Sequence, residues 1–278
     1  MGKPQPAKKT PLADRAVGQE NTVVTVGDVR FGTEKVVLIG GPCAVEDREQ
    51  ILASARAVTA AGGTMLRGGA WKPRTNPYDF QGLGVEGLEL LAAARAETGL
   101  PVVTEVMDTR DVALVVEHAD MLQIGSRSVQ NFPLLREVGA SGKPVLLKRG
   151  MMTTVDEWLS AAEYILAAGG DQVVLCERGI RTFEPALRNT LDVGSVAVLK
   201  ERTHLPVIVD PSHAAGNARF VTALARAAVA AGADGLLVET HPDPARAMSD
   251  GDQSLAPADF AALAESCRAV ALAIGRDV

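Results

Sequence analysis

Eight short apolar runs recur along this chain, and their spacing limits what it can fold into more than any other feature. They fall at residues 35–40 (KVVLIG), 64–67 (TMLR), 101–106 (PVVTEV), 121–124 (MLQI), 144–148 (PVLLK), 172–176 (QVVLC), 206–210 (PVIVD) and 235–239 (GLLVE). Short unbroken apolar runs fit strands buried on both faces, as in a parallel sheet. Helical patterns lie between them, at 47–61, 85–98, 153–168, 218–231 and 257–274. Several close on glycine before the next run, at Gly62-Gly63, Gly99, Gly169-Gly170 and Gly232, the expected stop signal of a helix. Eight β/α units without a long linker predict an α/β fold: a single (β/α)8 TIM barrel with a short amino-terminal extension. The 278 residues suit a fold that runs to about 250. An open doubly wound sheet is the alternative, but no GxGxxG follows a strand to support it.

The extension divides in two. Residues 1–20 are polar and proline-bearing, and are expected to be a disordered or loosely attached arm. Residues 21–30 (NTVVTVGDVR) predict a small hairpin with Gly27-Asp28 at its turn, and 31–278 form the barrel.

Composition removes several classes of function. Lys and Arg number 28 against 34 Asp and Glu, a net charge of −6, so no global positive field draws in nucleic acid. No apolar run approaches the ~20 residues of a membrane helix, and the amino terminus has no secretory h-region. Three widely separated cysteines, Cys43, Cys176 and Cys267, argue for a reducing, cytoplasmic setting and against a disulfide framework.

Anion binding must then be local, and residues 66–84 (LRGGAWKPRTNPYDFQGLG) supply a place for it. Arg67, Lys72 and Arg74 crowd together with no acid between them, while Gly68, Gly69, Pro73 and Pro77 rule out a regular helix. Three cations in an irregular loop predict a phosphate or carboxylate ligand; an ordinary exposed basic loop is the plainer reading.

In a closed barrel, chemistry belongs to the carboxyl ends of the strands. Every predicted strand end here is polar while its body is apolar. Cys43, His213 and Glu239 follow or end different strands, and Asp250 lies in the loop after the eighth. Thiolate, imidazole and carboxylates together suit a divalent Mn, Fe, Co or Zn ion. No pair has zinc-finger spacing, so only the barrel would unite them. Singly, Cys43 reads as a small buried residue, His213 as a loop hydrogen-bonder and Asp250 as a turn residue, and His241 is a rival ligand. Arg67, Lys72, Arg127, Lys148 and Arg178 come from four strand ends, beside Arg74. So many cations predict two phosphates and a carboxylate.

The motifs GPCAVE, LRGGAWKPRTNPYDFQGLG, TEVMD, QIGSRSVQN, LLKRG, CERGIRTFE, RNTLDV, VDPSHAAG and VETHPDPARAMSDG together resemble the type I 3-deoxy-D-arabino-heptulosonate-7-phosphate (DAHP) synthases, β subgroup, from about Phe31 to Ile274. The resemblance implies a cytoplasmic transferase that condenses phosphoenolpyruvate with erythrose 4-phosphate, the entry step to aromatic amino acids, as a homodimer or homotetramer. It implies Cys43, His213, Glu239 and Asp250 as ligands of a divalent Mn2+, Fe2+, Co2+ or Zn2+ ion. Arg127, Arg178 and the Ser126 amide would hold the phosphoenolpyruvate phosphate. Arg67, Lys72 and Lys148 would meet its carboxylate and reacting end, and Arg74 and Thr75 the aldose phosphate. Asn76 stands where many relatives carry Ser or Thr. Lys72 would protonate the new alkoxide, with Glu105 orienting water or a cation. Relatives often add a regulatory domain, for which the roughly thirty residues ahead of the barrel are too few, so insensitivity to phenylalanine, tyrosine and tryptophan is expected.

Three rivals stand beside this reading. The 3-deoxy-D-manno-octulosonate-8-phosphate synthases resemble it in barrel and chemistry, but carry an Asn-Arg-Ser type sequence in place of KPRT. A Schiff-base aldolase could use Lys72 or Lys148, yet would have no use for the four candidate ligands together. A non-catalytic phosphate-sensing barrel would be expected to have lost some ligand or cation.

Overall fold

The computed structural model describes residues 10–277. Eight parallel strands close into a barrel: β3 (Val37–Gly41), β4 (Met65–Arg67), β5 (Val102–Glu105), β6 (Met121–Ile124), β7 (Val145–Lys148), β8 (Val173–Glu177), β9 (Val207–Val209) and β10 (Gly235–Glu239). They run in sequence order around the barrel, and β10 pairs with β3 to close it. Every one of their residues is buried, which is why these segments read as unbroken apolar runs.

The alternation of a strand is still present inside those runs. Val37 and Ile39 of β3, Met65, Val103, Met121, Leu146, Val174, Ile208 and Leu237 fill the barrel interior. Leu38, Leu66, Val102, Leu122, Leu147, Leu175, Val207 and Val238 face outward into a second apolar layer beneath the helices. That layer receives α1 (Arg48–Ala60), α2 (Val85–Thr98), α3 (Val112–His118), α4 (Phe132–Ala140), α5 (Val155–Ala167), α6 (Val193–Arg202), α8 (Ala218–Ala230) and α9 (Pro257–Ala273). A short α7 (Pro211–Ala215) precedes α8. At the barrel mouth β3 and β4 come very close. A Cβ on Gly41, whose φ is +142°, would lie 2.0 Å from the Arg67 carbonyl oxygen, so only glycine fits there.

The amino-terminal end of the barrel is stoppered. Strands β1 (Val24–Val26) and β2 (Val29–Phe31) form an antiparallel hairpin. Val24, Val26 and Phe31 join the barrel-interior cluster. Phe31 is fully buried there, so Phe31→Ala should destabilise the protein by ~3–5 kcal/mol, read as a shift in urea midpoint.

Residues 10–20, expected to belong to a loose arm, are instead docked. The Leu12 and Ala13 amides donate to the Glu163 carboxylate of α5 at 3.0 and 2.8 Å, and Ala13 is fully buried. Arg15 donates to the Thr203 carbonyl at 2.7 Å, and His204 Nε2 donates to the Leu12 carbonyl at 2.7 Å. A polar segment binds here because distant side chains satisfy its backbone. Residues 1–9 lie outside the described residues.

Candidate active site

Four loops at the carboxyl end of the barrel converge on one point. Cys43 follows β3 and is held by reciprocal backbone bonds to the glycine loop: Gly69 N to Cys43 O at 3.1 Å, and Val45 N to Gly69 O at 2.9 Å. His213 rides on α7, whose N-terminus is capped by Asp210: the His213 amide donates to Asp210 Oδ1 at 2.9 Å. Glu239 ends β10. Asp250 adopts φ +53°, the only non-glycine positive φ among the described residues. Backbone held in that region marks a place where the surroundings over-determine the chain. One potential ligand atom from each of Cys43, His213, Glu239 and Asp250 lies within 4.8 Å of the others.

Each of the four is steadied from outside the cluster. Glu239 Oε1 accepts from Arg67 at 2.8 Å and Oε2 from Gln253 at 2.6 Å. Asp250 Oδ1 accepts from Arg188 at 2.9 Å, leaving Oδ2 to the Cys43 thiol at 2.9 Å. Lys72 Nζ lies 2.9 Å from Cys43 Sγ and 3.0 Å from its carbonyl. His213 Nδ1 sits 2.7 Å from Asp210 Oδ2, without hydrogen-bond alignment, and Nε2 lies 3.4 Å from Glu239 Oε1. With its proton on Nδ1 the neutral ring would turn the Nε2 lone pair toward the Glu239 carboxylate, an arrangement of two acceptors that a cation between them would satisfy.

The electrostatics of the cluster agree. Burial first, then the Glu239 carboxylate, push the Cys43 thiol up to about 12. Burial draws His213 below its ordinary value, the neutral form that a metal takes. Burial opposes ionisation of Glu239, but His213, in its protonated form, and the Arg67 guanidinium outweigh it and hold the carboxyl below its usual range. At Asp250 burial is likewise outweighed, by His213, the thiol hydrogen bond and Arg188. Soft, borderline and hard donors, two of them ionised carboxylates, fit a divalent transition metal.

Above the four lies a cavity of about 210 Å³. Arg67, Lys72, Arg74, Arg127, Lys148 and Arg178 all line it, with Thr75, Ser126, Glu105, His213 and Asp250. Cys43 and Glu239 lie beneath, each 1% exposed. Arg178 is buried with its Nη1 unpartnered, and burial draws its guanidinium below the ordinary value. Lys148 is paired with Asp210 at 2.5 Å. Arg74 donates to Ser249 Oγ at 2.7 Å and lies 3.2 Å from Asp79. Gln123 Nε2 donates to Glu105 Oε2 at 3.3 Å. Asn76 Oδ1 accepts the Tyr78 amide at 3.1 Å, shaping the turn of the loop.

His241, the rival ligand, is not among the four; its Nε2 lies 3.3 Å from Glu46 Oε2. Arg188 is a cavity residue that sequence reading missed. It sits in the RNTLDV segment, a loop with no periodicity to mark its direction, and bridges Asp250 and Gln253. Asp210, Ser249 and Gln253 were equally hidden, since their roles are contacts with other loops.

A (β/α)8 barrel with donors and cations gathered at its strand carboxyl ends defines a barrel enzyme with a cationic mouth. The chain belongs to the DAHP synthetase I family, whose model matches residues 14–274. It is 49% identical over 264 residues to the phospho-2-dehydro-3-deoxyheptonate aldolase of Thermotoga maritima, covering 95% of this chain and 78% of that one. The crystal structure of the DAHP synthase from the same organism superposes with a TM-score of 0.93 at 48% identity, over 96% of this chain and 78% of that chain. A 2-dehydro-3-deoxyphosphooctonate aldolase of Syntrophotalea carbinolica is 36% identical over 249 residues, 83% of this chain and 89% of that one.

Proposed function

We propose that this chain condenses phosphoenolpyruvate with erythrose 4-phosphate and water, giving DAHP and inorganic phosphate, with a divalent metal held by Cys43, His213, Glu239 and Asp250. The observation that carries this reading is the convergence of those four residues, from loops as much as 207 positions apart, beneath a cavity lined by seven Arg and Lys side chains. When bound, the ion would supply Lewis acidity at the aldose carbonyl.

C3 of phosphoenolpyruvate attacks the aldehyde carbon while water adds at C2. The resulting hemiketal phosphate loses inorganic phosphate by C–O cleavage. Lys72 is the proton donor to the new alkoxide. Burial favours its neutral form, but Cys43 together with the Glu105 and Glu239 carboxylates outweighs that and raises its pKa, so it is charged at neutral pH. Arg127, Arg178 and the Ser126 amide take the phosphoenolpyruvate phosphate. Arg178 supports this by offering a buried, unpartnered N–H. Arg67 and Lys148 meet the carboxylate and reacting end, Arg74 and Thr75 bind the aldose phosphate, and Glu105, oriented by Gln123, positions water. No helix among the described residues is long and apolar enough to cross a membrane. The reading extends to a cytoplasmic homodimer or homotetramer, which sedimentation of the purified protein tests.

The decisive assay offers phosphoenolpyruvate with either erythrose 4-phosphate or arabinose 5-phosphate, with and without chelator, and identifies products by NMR. DAHP should form from the four-carbon sugar, cease on chelation and return with added Mn2+. Full turnover after exhaustive chelation overturns the metal assignment. Preference for arabinose 5-phosphate moves the chain to octulosonate chemistry.

A further inference from the structure

Outside the lining of the cavity, a second set of contacts ties the loops together. Glu46 lies three residues after Cys43, His241 two residues after Glu239, and Met248 two residues before Asp250. Glu46 Oε1 accepts the Met248 amide at 2.8 Å. His241 Nδ1 accepts the Asp243 amide at 3.0 Å, which places the ring proton on Nε2, 3.3 Å from Glu46 Oε2. Both side chains are less than a tenth exposed, and neither lines the catalytic cavity. Both carboxylate oxygens of Glu46 thus serve as acceptors, and each joins its own loop to another.

Of the four loops that carry the candidate ligands, three pass through this one carboxylate. The Cys43 loop carries Glu46, the chain leaving Glu239 carries His241, and the segment entering Asp250 carries Met248. Asp250 has a φ that L-residues seldom adopt, so its approach needs to be held from elsewhere. We propose that the Glu46–His241 pair is a positioning strut that fixes Cys43, Glu239 and Asp250 relative to one another for metal binding. The proposal rests on the reading of those residues as metal ligands, and it adds a role for two residues that touch neither substrate nor ion. Outer partners that orient metal ligands typically change metal affinity ten- to a hundredfold when removed.

Glu46→Gln tests this with little change of shape. Two donors, the Met248 amide and His241 Nε2–H, need two acceptors, and a carboxamide offers one oxygen. His241→Asn cuts the strut from the other side: its carboxamide oxygen can still accept the Asp243 amide, but no donor reaches Glu46. The full-length metal-free proteins are titrated with Co2+, following the thiolate-to-cobalt absorption that reports Cys43. Each variant should bind Co2+ ten- to a hundredfold more weakly, melt near the wild-type temperature when metal-free, and keep its KM for both substrates at saturating metal. The double variant should lose no more affinity than the worse single one, since both break one strut. Wild-type Co2+ affinity in both single variants, with Cys43→Ala unable to bind, overturns the strut and leaves the metal site standing. Wild-type Co2+ affinity in Cys43→Ala, which lacks the thiolate band and is therefore titrated by calorimetry, overturns the metal site itself, and the strut with it.

Discussion

Replacing Cys43 with alanine is expected to abolish metal retention and turnover together. Cys43 is 1% exposed, and its sulfur has the Asp250 carboxylate and the Lys72 ammonium both at 2.9 Å. In the metal-free protein burial and Glu239 push the thiol up to about 12, so at neutral pH it carries its proton. A divalent ion must therefore displace that proton, and the thiolate it gains outweighs the burial that disfavoured charge. His213, drawn down by burial, is already neutral and gives up none. Binding should release close to one proton per ion, measurable by calorimetry in buffers of different ionisation enthalpy, and affinity should rise with pH. Cys43→Ala removes the soft ligand and its proton together. Its metal affinity should fall by more than about a hundredfold, beyond the loss that follows removal of a supporting residue. Proton release that persisted in Cys43→Ala would show that some other group is the one deprotonated.

What the sequence discloses and what it hides have different physical origins. A strand buried on both faces must be apolar throughout, so all eight barrel strands stand out as runs, with edges within a residue or two of those observed. Helices α1, α2, α5, α8 and α9, each of 13 residues or more, are long enough to read as helical stretches between the runs. Helix α3 is too short for that, at seven residues, and α6 mixes small and polar residues without a clear stripe. The candidate ligands were legible because each sits at or after a strand end. Their partners were not, because nothing local distinguishes Arg188 or Gln253 from any loop residue. Asp250 shows the limit most plainly. In sequence it is a turn residue in SDGD, and only its left-handed φ and its contacts with Cys43 and Arg188 set it apart. Residues 10–20 fail in the opposite direction. Their polarity reads as looseness, yet Glu163, about 150 positions away, holds their backbone.

The second large expected effect separates the two substrates. Arg178→Ala should raise KM for phosphoenolpyruvate, and Arg74→Ala should raise KM for erythrose 4-phosphate, each leaving the other substrate nearly untouched. Loss of a charge-assisted bond costs roughly 1.5–3 kcal/mol, about ten- to a hundredfold in affinity. The surroundings of the two arginines decide where in that range each falls. Arg178 is 4% exposed and its buried Nη1 has no partner, so an arriving phosphate satisfies a group already stripped of water. Nothing has to be given up, and the loss should approach a hundredfold. Arg74 is 22% exposed at its side chain and is already engaged by Asp79 and Ser249. A phosphate there replaces existing partners rather than filling a vacancy, and a half-wet ion pair is worth little to begin with. Its loss should fall nearer tenfold. Steady-state kinetics with each substrate varied against a saturating partner measures both effects. Equal changes in the two KM values for either variant would undo the division of the mouth into separate phosphate sites, and a larger effect at Arg74 than at Arg178 would contradict the desolvation argument.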